Sequence, residues 1–329
     1  MTVSAHTETD RNVVGWPRRA YPDGSVMETW HARDGWPCRV MRTPGARGGH
    51  RGRMLFLGGR GDIIEKHVEA IARWAAQGWS VDAPEWRGQG GSGRLLANPL
   101  TGDSPGFDTW IADLAAYGQD WLALANGPHV AVAHSMGGHL LLRAMAQGVF
   151  RPDAAVLTAP MLGLNSGRLS VGLAVRITAF MCAIGLRDRA AWGESDPHDR
   201  MRQARLTHSA ARYADEMWWR AERPDLVVGG PSWRWLEHAY ASTRTLAADP
   251  ALATMDVPTL VLATPVDKLV LPGVIASVVA KLPDAVIHWY GPEAAHEILR
   301  EEDGVRDDAL ARIDRFLDSR APAGVAAHA

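Results

Sequence analysis

Short apolar runs alternate with amphipathic stretches along most of the chain. Residues 26–42 alternate apolar and polar positions on either side of Asp34-Gly35, the pattern of a β-hairpin. Met54-Leu55-Phe56-Leu57 is an apolar run that stops at Gly58-Gly59-Arg60-Gly61 and leads into a helical period from Ile64 to Gln77. The pattern then predicts a strand from Trp79 to Ala83, a Gly- and Pro-rich loop over 87–107 and a helix from Asp108 to Asn126. A strand at Val130–Ala133, a helix at Gly137–Gln147 and a buried strand at Ala155–Leu157 follow. After an interruption at about 161–245 the rhythm resumes: strand Thr259–Ala263, helix Val274–Lys281, strand Ala285–Tyr290, helix Arg306–Leu317.

Strands separated by helices predict an α/β fold, a mostly parallel, doubly wound sheet covered by helices on both faces. The interruption is helical in tendency and carries Trp192, Trp218, Trp219, Trp233 and Trp235. We read it as a helical cap inserted between two strands. The expected organisation is therefore an N-terminal extension over 1–25, a core formed by 26–160 and 246–319, the cap over 161–245, and a flexible tail over 320–329. The cap tryptophans can fill a small apolar core or shape an apolar acyl pocket.

The longest apolar run, Ile177 to Leu186, is closed by Arg176 and Arg187 and falls well short of the roughly 20 residues that span a bilayer. Around it, Leu169–Leu186 admits two readings. One is a cap helix with one face against the core, favoured by Arg176 in its middle. The other is an exposed amphipathic helix that touches membranes or lipid aggregates.

Composition narrows the picture further. The chain has 329 residues, 47% of them hydrophobic, ample for a core. A net charge of −2 and a pI near 6.7 give no electrostatic case for binding nucleic acid. The segment Met1–Pro17 is polar and lacks the apolar stretch of a secretory signal. Cys38 and Cys182 are thus expected as reduced thiols in a cytoplasmic protein, peripheral to the membrane if the cap touches lipid.

The candidate chemistry lies at strand ends. In Val130-Ala131-Val132-Ala133-His134-Ser135-Met136-Gly137-Gly138-His139, a serine stands between an apolar strand and a glycine-rich helix start. A sharp strand-to-helix turn there lifts the hydroxyl off the sheet with the next N–H beside it, the geometry of a nucleophile elbow. Ala133 replaces the usual first glycine, a change limited to one methyl.

A serine hydroxyl needs a base, and the base needs a third group to fix its tautomer. Both should sit beyond the carboxyl ends of strands, in the order Ser, acid, His. Asp267 follows the 259–263 strand and His296 follows the 285–290 strand. Asp256 and Asp284 are the other candidate acids, but one precedes its strand and the other begins one. Ser135 read as an ordinary helix N-cap is the plainer alternative. An oxyanion requires two N–H donors: that of Met136, after the nucleophile, and one from the 58–61 loop, assigned to Arg60.

Six segments extend the pattern: GGRGDIIEKHVEAI (58–71), EWRGQGGSGR (85–94), VAHSMGGHL (132–140), GGPSWRWL (229–236), VPTLVLATPVDKLV (257–270) and AAHEILREED (294–303). With them the chain resembles the lysophospholipase/monoacylglycerol lipase group of the α/β-hydrolase family. The resemblance spans roughly 50–318. It departs at Gly58-Gly59, where the family has His-Gly, and at Glu85, where it has Asp. It implies an α/β-hydrolase fold and a cofactor-independent serine hydrolase that cleaves acyl esters of glycerol lipids and similar small molecules. The same triad could act on an amide, a lactone or a C–C bond, and a non-catalytic hydrolase-fold binding protein is the rival of another class.

Other matches fail on chemistry. His296-Glu297-Ile298-Leu299-Arg300 begins like the zinc motif H-E-x-x-H but has arginine for the second histidine, so no metal site is expected. Gly88-Gln89-Gly90-Gly91-Ser92-Gly93 fits a dinucleotide fingerprint, yet no helix opens after it to receive a pyrophosphate. We expect it to brace the rim of the site, with Arg87 in a buried salt bridge. His134 and His139 flank the elbow and are expected to pack rather than react.

Overall fold

The computed structural model describes residues 17–46, 51–124, 127–192 and 200–323. Eight strands form one sheet: β1 (Val26–His31), β2 (Pro37–Thr43), β3 (Gly52–Leu57), β4 (Trp79–Pro84), β5 (His129–His134), β6 (Ala154–Thr158), β7 (Thr259–Ala263) and β8 (Ala285–Trp289). Their spatial order is β1-β2-β4-β3-β5-β6-β7-β8. The Asp34-Gly35 hairpin pairs β1 with β2 antiparallel, and β2 is antiparallel to β4; every other pairing is parallel. Central strands β5 and β6 are buried at every position, as expected where helices cover both faces.

Nine helices accompany the sheet among the described residues. The first three are α1 (Val68–Ala76), α2 (Phe107–Leu122) and α3 (Met136–Ala146). The insertion supplies α4 (Val171–Met181), α5 (Arg200–Leu206), α6 (Ala210–Glu222) and α7 (Trp233–Ala248), and α8 (Pro272–Val279) and α9 (Asp303–Arg320) complete the set. On one face, α1 buries Ile71 and Trp74 beside β4, and α9 buries Leu310, Ile313 and Leu317 beside β6 and β7. The spacing of the α9 residues places them on one helical stripe. On the other face, α2, α3, α7 and α8 build the larger core around Trp110, Leu140, Leu141, Trp235 and Ile275.

The predicted elements recur with shifts at their ends. The expected 108–126 helix closes at Leu122, and its last two positions lie outside the described residues. The 64–77 helix opens with a 3-10 turn, Ile64–His67. Most of the N-terminal extension (1–16) and of the tail (324–329) also lies outside the described residues. Helix α7 runs through the boundary drawn at 245 because its inner face, with Trp235, Leu236, Ala239, Tyr240 and Leu246, is buried in the main core. In contrast, α4 buries only Ala174 and Thr178, leaving Leu173, Phe180 and, in the following turn, Ile184 exposed. Among the described residues no helix is long and apolar enough to cross a membrane.

Candidate active site

Ser135 caps α3 with φ 51°, one of two non-glycine residues with positive φ among those described. A side chain held there is strained, and the surrounding structure must impose it. The imposing contacts are visible: Ser135 N–H donates to the Thr158 carbonyl at 3.0 Å, and its carbonyl accepts from Met161 and His139. Glycine lets the helix come close. A Cβ on Gly137 would stand 2.5 Å from the Leu57 carbonyl oxygen at the end of β3. Ala133, just before the turn, is fully buried.

The three strand ends bring Ser135, His296 and Asp267 together. His296 Nε2 lies 2.9 Å from Ser135 Oγ, and His296 Nδ1 lies 2.7 Å from Asp267 Oδ2. A carboxylate can only accept, so the ring proton belongs on Nδ1 and Nε2 is left to accept from the serine hydroxyl. Asp267 Oδ1 takes the N–H of Leu269 at 2.7 Å and of Val270 at 3.1 Å. Burial alone would raise the Asp267 pKa; the His296 charge and hydrogen bond, with those two N–H donors, bring it below the ordinary value. For His296 the balance runs the other way. Burial opposes its charge, but Asp267 wins and lifts its pKa above the ordinary value. Asp256 and Asp284 sit elsewhere, paired with Arg151 and Arg320.

The loop after β3 presents three successive amides. Gly59 N–H donates to Asp62 Oδ2 at 2.8 Å, and Gly61 N–H donates to Gln89 Oε1 at 2.5 Å. Between them, the N–H of Arg60 has no acceptor among the described residues. Trp86 Nε1–H holds the Gly58 carbonyl at 2.8 Å. Gly59 approaches Ser135 so closely that a Cβ there would lie 3.0 Å from Ser135 Cβ. Met136 N–H is the first amide of α3 and shares that helix's unsatisfied N-terminal end.

The segment 88–93 braces this loop through Gln89. Glu85 anchors it, accepting from Gly91 N–H at 2.6 Å and from Arg39, and burial lifts Glu85 to about 7. Arg87 bridges Asp34 and Asp113 from a buried position, as anticipated. No helix follows Gly93 before Phe107, so the fingerprint lacks its anion-binding end. His134 lies beside His296, ring centroids 5.0 Å apart, with Nδ1 near the Thr158 carbonyl. His139 Nε2 meets Ser242 Oγ at 2.6 Å and joins α3 to α7. Burial drives both histidines down to about 3, so they are neutral.

Sequence reasoning missed the ionic cluster behind the loop. Lys66 Nζ bonds Asp62 Oδ1 at 2.7 Å and Glu297, and lies 3.6 Å from Glu216. Arg300 bonds both Glu216 and Glu297. The cluster joins the loop after β3, the residue after His296, and helix α6. Its local half was readable, since Asp62/Lys66 and Glu297/Arg300 have helical i,i+4 and i,i+3 spacing. Glu216 has an i,i+4 partner on its own helix, Arg220, but no local signal for its contacts with Lys66 and Arg300.

Ser135, Arg60 and His296 open onto a cavity of about 530 Å³ under the cap. Fold and strand-end order together define an α/β-hydrolase. The Hydrolase_4 family model, serine aminopeptidase S33, matches residues 48–303, and the chain belongs to this family. It is 30% identical to lysophospholipase L2 of Escherichia coli K12 over 93% of this chain and 94% of that one. Probable lysophospholipase L2 of Haemophilus influenzae is 26% identical over 80% and 83%. A soluble variant of monoglyceride lipase from Saccharomyces cerevisiae, solved with a substrate analogue, superposes with TM-score 0.71 at 17% identity, covering 90% and 95% of the two chains. That likeness shows the fold.

Proposed function

We propose that the protein is a cofactor-independent carboxylic ester hydrolase acting on lipid-like acyl esters, of lysophospholipase or monoacylglycerol lipase type. The observation that carries this reading is the unbroken chain from Ser135 Oγ through His296 to Asp267, at 2.9 and 2.7 Å, on the wall of the capped cavity. The similarity to lysophospholipase L2 across nearly the whole chain supports the choice of ester.

Ser135 Oγ attacks the acyl carbonyl while His296 Nε2 takes its proton. The N–H groups of Arg60 and Met136 bind the oxyanion, each such donor worth on the order of 10²–10³ in rate. His296 returns the proton to the alcohol as the C–O bond breaks, leaving an acyl group on Ser135. Water, deprotonated by His296, then releases the acid. Asp267 holds the imidazolium throughout without taking its proton. Ser135→Ala is expected to abolish hydrolysis of short p-nitrophenyl esters with the fold intact by circular dichroism; retained turnover would remove the proposal.

The family description raises a second reading, an aminopeptidase. Its substrate carries an ammonium group, which wants a free carboxylate in the cavity. Among the described residues, the lining carboxylates Asp62 and Glu297 are already bound by Lys66, and Glu297 also by Arg300. We therefore favour the ester over the amide; aminoacyl p-nitroanilides, turned over as fast as esters, would reverse that choice.

We also propose a cytoplasmic location with peripheral lipid contact through α4. Leu173, Phe180 and Ile184 offer exposed apolar surface beside Arg176, which suits an interface with anionic lipid. Cys38 and Cys182 are both free, in keeping with a reducing compartment.

A further inference from the structure

His296 rides on an irregular segment between β8 and α9, whose regular structure is one short 3-10 turn, Ile298–Arg300. Its ring must nevertheless meet Ser135 Oγ at 2.9 Å and Asp267 Oδ2 at 2.7 Å together. The amides on either side of it are both held. Ala295 N–H donates to Glu301 Oε1 at 2.7 Å, and Glu297 N–H donates to the Leu206 carbonyl at 2.7 Å. Leu206 ends α5 and lines the cavity.

Glu301 is fully buried, and no lysine or arginine among the described residues pairs with its carboxylate. Its oxygens are filled instead by donors from two separate segments. Oε1 accepts the Ala295 N–H and, at 3.1 Å, His208 Nδ1, which must donate because a carboxylate only accepts. Oε2 accepts the His208 N–H at 2.8 Å. Thr207 Oγ1 donates to the Arg300 carbonyl at 2.7 Å, and the Arg212 guanidinium donates to the Glu301 carbonyl at 2.7 Å. Residues 207–208 form the turn between α5 and α6, so the segment of His296 and the cap turn meet on one side chain.

A buried carboxylate is costly unless hydrogen bonds fill its lone pairs. An apolar side chain would occupy the same space at less cost, but it could not gather backbone N–H groups from two parts of the chain. We infer that Glu301 is a positioning residue for His296, one carboxylate that fixes the segment of the base and the cap turn in a single arrangement. This rests on the ester reading above and adds the group that aims its base. The cap is then part of the mounting of His296 as well as the roof of the cavity.

The test is E301Q, which keeps the shape but offers one acceptor and one donor, so it cannot receive N–H groups at both ends. Hydrolysis of p-nitrophenyl butyrate is measured per active serine, counted with a fluorophosphonate run to completion. We expect kcat per serine to fall about tenfold to a hundredfold, as misplacement near 1 Å does, with KM within about twofold. The rise of activity with pH should also move to lower pH, because a ring displaced from Asp267 loses the group that lifts its pKa. Unchanged kcat per serine, with only fewer active serines or a lower urea midpoint, would make Glu301 a folding residue and overturn the inference, leaving the ester reading intact. Should E301Q not fold, H208A decides, since the His208 side chain is 45% exposed and gives Oε1 one donor. A fall of about twofold to tenfold in kcat per serine, the worth of one hydrogen bond, supports the inference, and an unchanged value overturns it. A parent protein with neither turnover nor a reactive serine would remove the ester reading itself.

Discussion

Helices α4 and α6 belong to the same insertion and flank the same cavity, yet they are held by opposite physics. Helix α6 buries Arg212, Tyr213, Asp215, Glu216 and Trp219. Arg212 pairs with Glu69 and Asp303, and Glu216 reaches Lys66 and Arg300 behind the loop after β3. Helix α4 is tied down by Ala174 and Thr178 and turns apolar side chains outward. Buried ion pairs require one geometry, because a displaced partner leaves a charge without solvent. Apolar contacts make no such demand. The α6 side can therefore set the position of the loop after β3 and of His296, while the α4 side can yield to an acyl chain or a lipid surface.

Lys66→Met is the sharpest way to break this contrast. Removing one partner from a buried pair costs about 3–5 kcal/mol, read as a shift in the urea midpoint. A loss below about 1 kcal/mol would rank the cluster with surface ion pairs and erase the difference between the helices.

Gly59→Ala probes the loop that the cluster supports. The new Cβ would stand 3.0 Å from Ser135 Cβ and 3.1 Å from Asp62 Oδ2. We expect kcat to fall about tenfold to a hundredfold, as displacements near 1 Å do. Unchanged kcat would mean that the loop adapts freely and that the α6 side does not fix it.

The pH profile tests the electrostatics of the same side. In the proposed mechanism His296 accepts a proton only when neutral, and Asp267, Glu297 and Asp62 raise its pKa against burial. Activity should therefore rise with pH through a midpoint above the ordinary histidine value, and Asp267→Asn should move that midpoint down. A midpoint at or below the ordinary value in the parent enzyme would contradict the assignment.

The smallest stability effect is expected on α4. Phe180 and Ile184 are 61% and 52% exposed, so changing both to serine should alter stability by no more than about 0.5 kcal/mol. Co-sedimentation with anionic vesicles should nevertheless fall several-fold. A large loss of stability would show that α4 is packed as tightly as α6.

Ser135, Asp267 and His296 were legible because each follows a strand end, so chain order and local pattern were enough to locate them. The loop after β3 was legible for a similar reason, being short and rich in glycine. Glu216 was not. It meets Arg300 across 84 residues, and nothing in its own helix distinguishes it from a solvated acid. Gln89 was hidden likewise, because its partner Gly61 lies 28 residues away. For α4 the apolar run was plain, but periodicity reports which residues share a face and not what covers that face. The end of the cap was blurred by α7, whose Trp233 and Trp235 line the cavity at one end while Ala239 and Leu246 enter the main core further along.

The central claim is that Ser135 is the activated nucleophile of this site. Intact-mass analysis after brief treatment with a fluorophosphonate tests it most directly. The account predicts one adduct, mapped to Ser135, absent from Ser135→Ala and strongly slowed in His296→Ala. No adduct on the folded parent protein, or an adduct at another residue with Ser135 unmodified, would contradict it.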